Sequence, residues 1–363
     1  MTDRPIREHN MDLERLILTV FVVITHYNNR DMGGALNFIP KGTAYEILIR
    51  VAESIAMCSV DAFLILSGYF AAKKAESGQD PKTGIKLPYR KAIWLLLTCS
   101  FYRVTGYICY LIFVTPGEFS LRTLIGYIIP NNWYVGLFVT ILLLSPFIDR
   151  LLAGMDDRGI KVLTGVLLLL FCAVPMFVTF VAENMGADVS GLSTVTWHGD
   201  SMGFNICVFL TCYVVGYMLR KWNSYLDRFK FSFYMILFLL TVSLTAALSH
   251  FAESIWYYSS LMIVFEAAVF TLAFTRISIS DGIIGKAISI LGGGSLGVFL
   301  WHTMPVMFVG LWGRFDLYAA SEIGFGAFVG TCTAAIAIMY LASMVWVVLC
   351  RTLTRALSLY VIR

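Results

Sequence analysis

Apolar residues run along this chain in long blocks separated by short polar stretches. Ten blocks stand out, at roughly 13–30, 46–72, 88–114, 133–152, 160–182, 203–220, 230–250, 256–276, 287–312 and 323–350. Their lengths fit the ~20 residues that an α-helix needs to cross the apolar core of a bilayer. A helix satisfies its own backbone polar groups in lipid, which an open strand edge does not. The pattern therefore predicts an all-α polytopic membrane protein with about ten transmembrane helices. The run 121–130 is too short to span and reads as an interfacial segment ending at Pro130.

Composition strengthens that picture. Hydrophobic residues make up 58% of the 363 positions and charged residues only 14%, against roughly 25% charged in soluble domains. The mean hydropathy is +0.77. Ten helices use the whole chain, so residues 1–363 read as a single integral-membrane domain. With the N-terminus placed inside, 21 of the 27 lysines and arginines fall in inner segments, while the outer stretch 183–201 is acidic or neutral. The positive-inside rule then puts both termini in the cytoplasm. The first apolar run lacks a small-residue cleavage site and is expected to be an uncleaved anchor. No repeat appears, and the net charge of +4 forms no basic patch for nucleic acid. The eight cysteines all lie in apolar runs without CxxC spacing, which predicts buried thiols.

Ionisable groups inside spans are costly and usually face the bundle interior. Here they are Arg15, His26, Asp61, Arg103, Glu266 and His302. Arg15 and His26 are 11 residues apart. On a helix that leaves them ~20° apart around the axis and ~16 Å apart along it. A guanidinium near the inner mouth suits a phosphate. A histidine deeper on the same face suits proton abstraction from a hydroxyl. The alternative is an arginine snorkelling to the interface and a histidine satisfied by a neighbouring helix. Spacing alone leaves both open.

Other residues carry the same two-sided reading. Asp61, in "CSVDAFLILSGYF" (58–70), either steadies a protonated histidine or forms a structural ion pair, for instance with Arg103. Ser67-Gly68 is a site element or close helix packing. The basic residues of 73–91 fix topology or hold the phosphates of a nucleotide ligand. The glycines of "LGGGSLGVFLWHTMP" (291–305) permit a broken or tightly packed helix ahead of His302. No HxxxH or HxE spacing supports a metal, and none is expected. Tyr127, Trp133 and Tyr134 fit an interfacial aromatic belt.

Taken in order, these stretches resemble acyltransferase family 3, the bacterial ten-helix membrane O-acyltransferases. The family's D-x-x-R-x10-H element resembles Asp12, Arg15 and His26. Its VDLFFVLSGF element resembles "VDAFLILSGY" (60–69), followed by the basic "KLPYRKAIW" (86–94). "WYVGLFVTILLLSP" (133–146) and "SLGVFLWH" (295–302) match two later elements, with Phe299 in place of the usual tyrosine. The resemblance implies a multi-pass protein of the bacterial cytoplasmic membrane. It implies transfer of an acetyl or other acyl group from cytoplasmic acetyl-CoA, or a related acyl-CoA, to a hydroxyl of a cell-envelope glycan or polysaccharide. It implies catalytic roles for His26 and Asp61 and donor-binding roles for Arg15, Arg90, Lys91, Ser67, Gly68 and Tyr69. Asp12, Trp133, Tyr134, Glu266 and His302 become substrate-side or supporting residues. The usual RxxR-type element is reduced to Arg90-Lys91. No hydrolase-like domain follows, so the acceptor would be handled by the membrane domain, a homo-oligomer or a separate envelope partner. A transporter of a small polar solute or glycan, with no covalent chemistry, is the rival reading, since buried ions and glycine breaks suit that class too.

Overall fold

The structure is a computed structural model that describes residues 8–30, 32–37, 41–76, 86–188, 195 and 201–362. The predicted inner-face residues Arg4, Arg7, Lys82 and Arg363, and most of the outer stretch 183–201, lie outside the described residues, as does the side chain of Arg355. Among the described residues there is no strand. The chain forms an all-α polytopic membrane protein. Among the described residues, eight helical segments are long and apolar enough to cross a bilayer. They coincide with eight of the ten predicted blocks. The other two are α1 (His9–Asn28) and α9 (Ile206–Lys221), one rich in polar residues and the other only 16 residues long.

Several predicted spans are broken, each for a local reason. The second is α2 (Ala44–Met57) and α3 (Ser59–Glu76), interrupted at Cys58. The third and the interfacial segment follow as α4 (Tyr89–Phe113) and α5 (Leu121–Ile128), the latter ending before Pro130. The fourth is α6 (Trp133–Ala153), capped by Asn132, whose side chain accepts from the Val135 amide. The fifth is α7 (Asp157–Leu168) and α8 (Val174–Met185), joined by a π-helical turn at Leu169–Ala173. Pro175 has no amide to donate, and the preceding turn widens to accommodate it. After α9 come α10 (Asn223–Leu226), α11 (Phe231–Leu248) and α12 (Leu261–Phe274). The expected single helix over 287–312 is three: α13 (Ile283–Gly292), α14 (Ser295–Trp301) and α15 (Pro305–Gly310). Its glycines and Pro305 explain the breaks. Helices α16 (Leu317–Ile323) and α17 (Phe325–Ile362) complete the chain.

Two apolar cores flank α1. One gathers α3, α9, α11 and α12 around Met11 and Leu18 of α1. The other gathers α4, α14 and α17 around Val23 and Tyr27. Large apolar side chains also point outward, among them Phe177, Leu240 and Leu349. That is the expected surface of a bundle whose solvent is lipid, where packing rather than water exclusion joins helices. Buried threonines return their hydroxyls to their own helix, as Thr164 does to the Ile160 carbonyl and Thr211 to that of Cys207.

The tightest contact is between α3 and α9. A β-carbon built on Gly68 would lie 1.9 Å from the Tyr213 carbonyl oxygen, and one on Gly216 would lie 1.9 Å from that of Ile65. Each helix therefore needs its glycine for the other's backbone to approach. The two run parallel: Asp61 meets Cys212 near one end, and Glu76 meets Arg220 near the other, at 2.7 Å. Gly216→Val is expected to push these backbones apart. It should lower the melting temperature in detergent, by about 1–3 kcal/mol of stability or more. An unchanged melting temperature would mean the interface is slack.

Candidate active site

A cavity of about 1120 Å³ opens between the two cores. That exceeds the ~300–1,000 Å³ of ordinary small-molecule pockets. Helix α1 supplies Arg15 and Val22, α3 supplies Val60, Ser67 and Phe70, and α6 forms a long wall from Tyr134 to Asp149. Gly292, Ser295 and Phe299 close the far side. Four cations line it: Arg15, Lys74, Lys86 and Lys91. Lys74 lies in the last turn of α3, Lys86 and Lys91 flank the start of α4, and Arg15 lies near the start of α1. The remaining wall mixes apolar residues, including Leu66, Phe138, Leu142 and Leu296, with the polar Ser67, Ser145, Asp149 and Tyr213.

Arg15 is held in place. Its Nη1 donates to Asp12 Oδ1 at 2.9 Å, and its guanidinium lies 5.2 Å from the Phe70 ring centre. Asp12 is buried, and its second oxygen accepts from the Ser289 hydroxyl at 2.6 Å. Ser289 in turn lies 2.8 Å from His9 Nδ1. A β-carbon on Gly292 would lie 2.3 Å from the Asp12 carbonyl oxygen. The glycines after 291 thus let α13 close on α1 and bring Ser289 to the aspartate.

His26 occupies the last turn of α1 and is half-buried. His26 is not itself among the residues that line the cavity; Val22, one turn below it on the same helix face, is. The helix ends firmly there: Asn28 donates to Glu53 Oε2 at 2.9 Å inside the protein, and the Gly33 amide folds back onto the His26 carbonyl at 3.0 Å. His26 Nδ1 lies 2.6 Å from Nε2 of His302, with ring centres 4.8 Å apart. His302 is fully buried, and its Nδ1 lies 2.8 Å from the Val298 carbonyl oxygen. Ring contacts continue from His302 to Phe299, Tyr134 and Trp133, the last partly exposed. The late histidine, 276 residues away in sequence, is thus the direct neighbour of the first.

The other expected residues divide. Ser67 and Lys91 line the cavity together with Arg15. Gly68 faces α9, and Tyr69 accepts a hydrogen bond from Arg220 at 3.3 Å, so neither forms the wall. Arg90 lies outside the lining, its guanidinium 6.0 Å from the Tyr89 ring centre. The expected histidine–Asp61 contact is replaced by the histidine pair: Asp61 is buried and bonds to the Cys212 thiol. Nor does Asp61 meet Arg103, which donates to the Asn131 and Gly126 carbonyls. Glu266 is buried away from the cavity and accepts from Thr245 at 2.6 Å. All eight cysteines are free thiols. Among the described residues no cluster of three His, Cys, Asp or Glu side chains is arranged to hold a metal.

Sequence reasoning missed Ser289, His9, Asp149 and Tyr213. Asp149 faces the cavity and accepts from the Tyr213 hydroxyl at 2.7 Å. Its only signal was a lone acid beside Arg150 at the inner end of a span.

A family model described as an acyltransferase domain matches residues 8–346. No curated protein and no solved structure matches the chain.

Asp12→Ala should destabilise the protein by about 1–3 kcal/mol, because it strips charged hydrogen bonds from Arg15 and Ser289. Asp12→Asn, which still accepts from Ser289, should lose less. Melting temperatures of the two variants in one detergent check the order, and equal values would remove Asp12 from its holding role.

Proposed function

We propose, since the chain belongs to acyltransferase family 3, that this membrane acyltransferase moves an acetyl or related acyl group from acyl-CoA onto a hydroxyl of an envelope glycan. The observation that carries the reading is the cavity. Four cations line it, much of its wall is apolar, and along α1 it reaches Val22, one turn short of His26. A donor with a polyanionic head and a long uncharged arm has matching partners at each level. Arg15 offers a planar fork to a phosphate, and Lys74, Lys86 and Lys91 offer point charges. The ~16 Å of helix between Arg15 and His26 faces Val22, Leu66 and Leu296, which suit the arm.

In this reading the acceptor hydroxyl meets the thioester beside His26. The hydroxyl oxygen attacks the carbonyl carbon while the imidazole takes its proton. The carbon–sulfur bond then breaks, and the leaving sulfur receives that proton from the imidazolium. Ester and free thiol result, and no net proton is released. The aromatic run from Trp133 through Tyr134 to Phe299 offers the acceptor a face to stack on. In this reading the donor enters from the cytoplasmic side of a bacterial cytoplasmic membrane and the acceptor lies nearer the outer side, which the positive-inside charge pattern supports.

His26→Ala should cut acyl transfer by about 10²–10⁴-fold in protein that still folds, with some loss of melting temperature because the buried His302 nitrogen loses its partner. Full activity in that variant removes His26 from the chemistry. Acetyl-CoA at about 100 times its Kd should add ~2.7 kcal/mol of stability in a thermal-shift titration. Replacing both Lys86 and Lys91 by Ala should raise the donor KM by about tenfold or more, each tenfold step being ~1.4 kcal/mol. No thermal shift with acetyl-CoA, together with solute uptake into liposomes that consumes no thioester, would replace the enzyme by a transporter.

A further inference from the structure

We infer that His302 is a positioning residue that fixes His26 in one tautomer, with Nδ1 protonated and Nε2 presented as the base. This deepens the acyl-transfer reading and rests on it for its catalytic consequence.

The assignment follows from donors and acceptors alone. His302 Nδ1 is 2.8 Å from the Val298 carbonyl oxygen, one turn back on its own helix. A carbonyl oxygen only accepts, so this nitrogen carries the hydrogen. A neutral imidazole has one N–H, which leaves a lone pair on His302 Nε2. That lone pair faces His26 Nδ1 at 2.6 Å. Two lone pairs do not share a hydrogen bond, so His26 Nδ1 carries a hydrogen and donates it. In neutral His26 the remaining nitrogen, Nε2, is then bare. Hydrogen positions are deduced here from the heavy-atom network.

The other assignment makes His302 doubly protonated, and His26 Nδ1 the acceptor. It would put a full charge on a ring with 0% exposure. Among the described residues no carboxylate bonds to that ring, since Asp61 bonds to Cys212 and Glu266 accepts from Thr245. An uncompensated buried charge of that kind is strongly disfavoured. His302 cannot easily turn to escape its role either. Its Nδ1–H is tied to its own helix, and that helix is clamped by the Trp301–Trp346 stack, with ring centres 4.3 Å apart.

The consequence concerns both halves of the reaction. When His26 Nε2 takes the hydroxyl proton, the Nδ1–H still has its acceptor, and the imidazolium gains a hydrogen bond to a neutral ring. His302 takes no proton. A carboxylate in the same place would hold the imidazolium more tightly. A neutral acceptor orients the base yet leaves it acidic enough to return the proton to the departing sulfur.

Ring-¹⁵N-labelled histidine in the purified full-length protein tests this directly. His26 signals, identified by their loss in His26→Ala, should show a protonated Nδ1 and an unprotonated Nε2. A protonated Nε2 in the wild-type protein overturns the assignment, whether or not any acyl transfer has been found. For the catalytic consequence, His302→Leu should lower kcat by about 10²–10⁴-fold with the donor KM nearly unchanged. His302→Gln, whose amide oxygen can accept the Nδ1–H, should recover at least about tenfold of that loss. Wild-type kcat in His302→Leu, or equal defects in Leu and Gln variants of matching melting temperature, would reduce the pair to a structural link between helices. If either variant fails to fold, the wild-type spectrum still decides the tautomer. If no acyl transfer occurs at all, the functional reading fails and the spectrum stands on its own.

Discussion

The polar residues of α1 are the constraint around which the bundle is organised. In lipid each of these groups needs a partner, and each finds it on a different helix. Asp12 reaches Ser289 of α13, Glu14 reaches Thr271 of α12, His26 reaches His302 at the end of α14, and Asn28 reaches Glu53 of α2. These bonds run from one end of α1 to the other. They oblige four helices to surround it, and they explain why a helix with so many polar residues can sit at the centre of a membrane bundle. Bonds to buried charged or polar groups are individually modest, yet leaving any one unmade is expensive. The ladder therefore specifies who neighbours α1 more than it adds stability.

The same arrangement makes the cavity. Because α1 belongs to both apolar cores, the space between them follows its length. Arg15 and Val22 face that space, while Glu14 points into the core on the other side. One helix thereby delivers a cation at one level and a histidine three turns on. Function and architecture draw on the same residues, since the Asp12–Ser289 bond that docks α13 also steadies the guanidinium.

Much of this was legible in the sequence, and the limits have physical causes. Hydropathy located the spans, because a bilayer imposes its thickness on any helix that crosses it. It was silent on the breaks at Cys58 and Leu169–Ala173, since an apolar run reads the same whether straight or kinked, while the glycines at 292–294 did allow the break ahead of α14. Helical spacing put Arg15 and His26 on one face. It could not pair His26 with His302, because partners on different helices carry no spacing signal. Asp61 shows the same blindness: its burial was foreseeable, its thiol partner was not. In the motif Ser67-Gly68-Tyr69 three successive positions must point about 100° apart, so only Ser67 reaches the cavity. Charge composition anticipated a cationic mouth, but Lys74 and Lys86 rather than Arg90 stand in it.

The reciprocal glycine contact between α3 and α9 decides where the molecule can give. With each backbone seated against the other's carbonyls, those helices form one stiff beam along their side of the chamber. The adjoining wall is α6, which contributes eight lining residues yet buries only Val135, Val139, Ile141 and Leu152 of its 21. Pro146 already weakens its hydrogen-bond ladder near the charged mouth. Of the chamber's walls, α6 is thus the one least held by its neighbours, a door hung beside a rigid post.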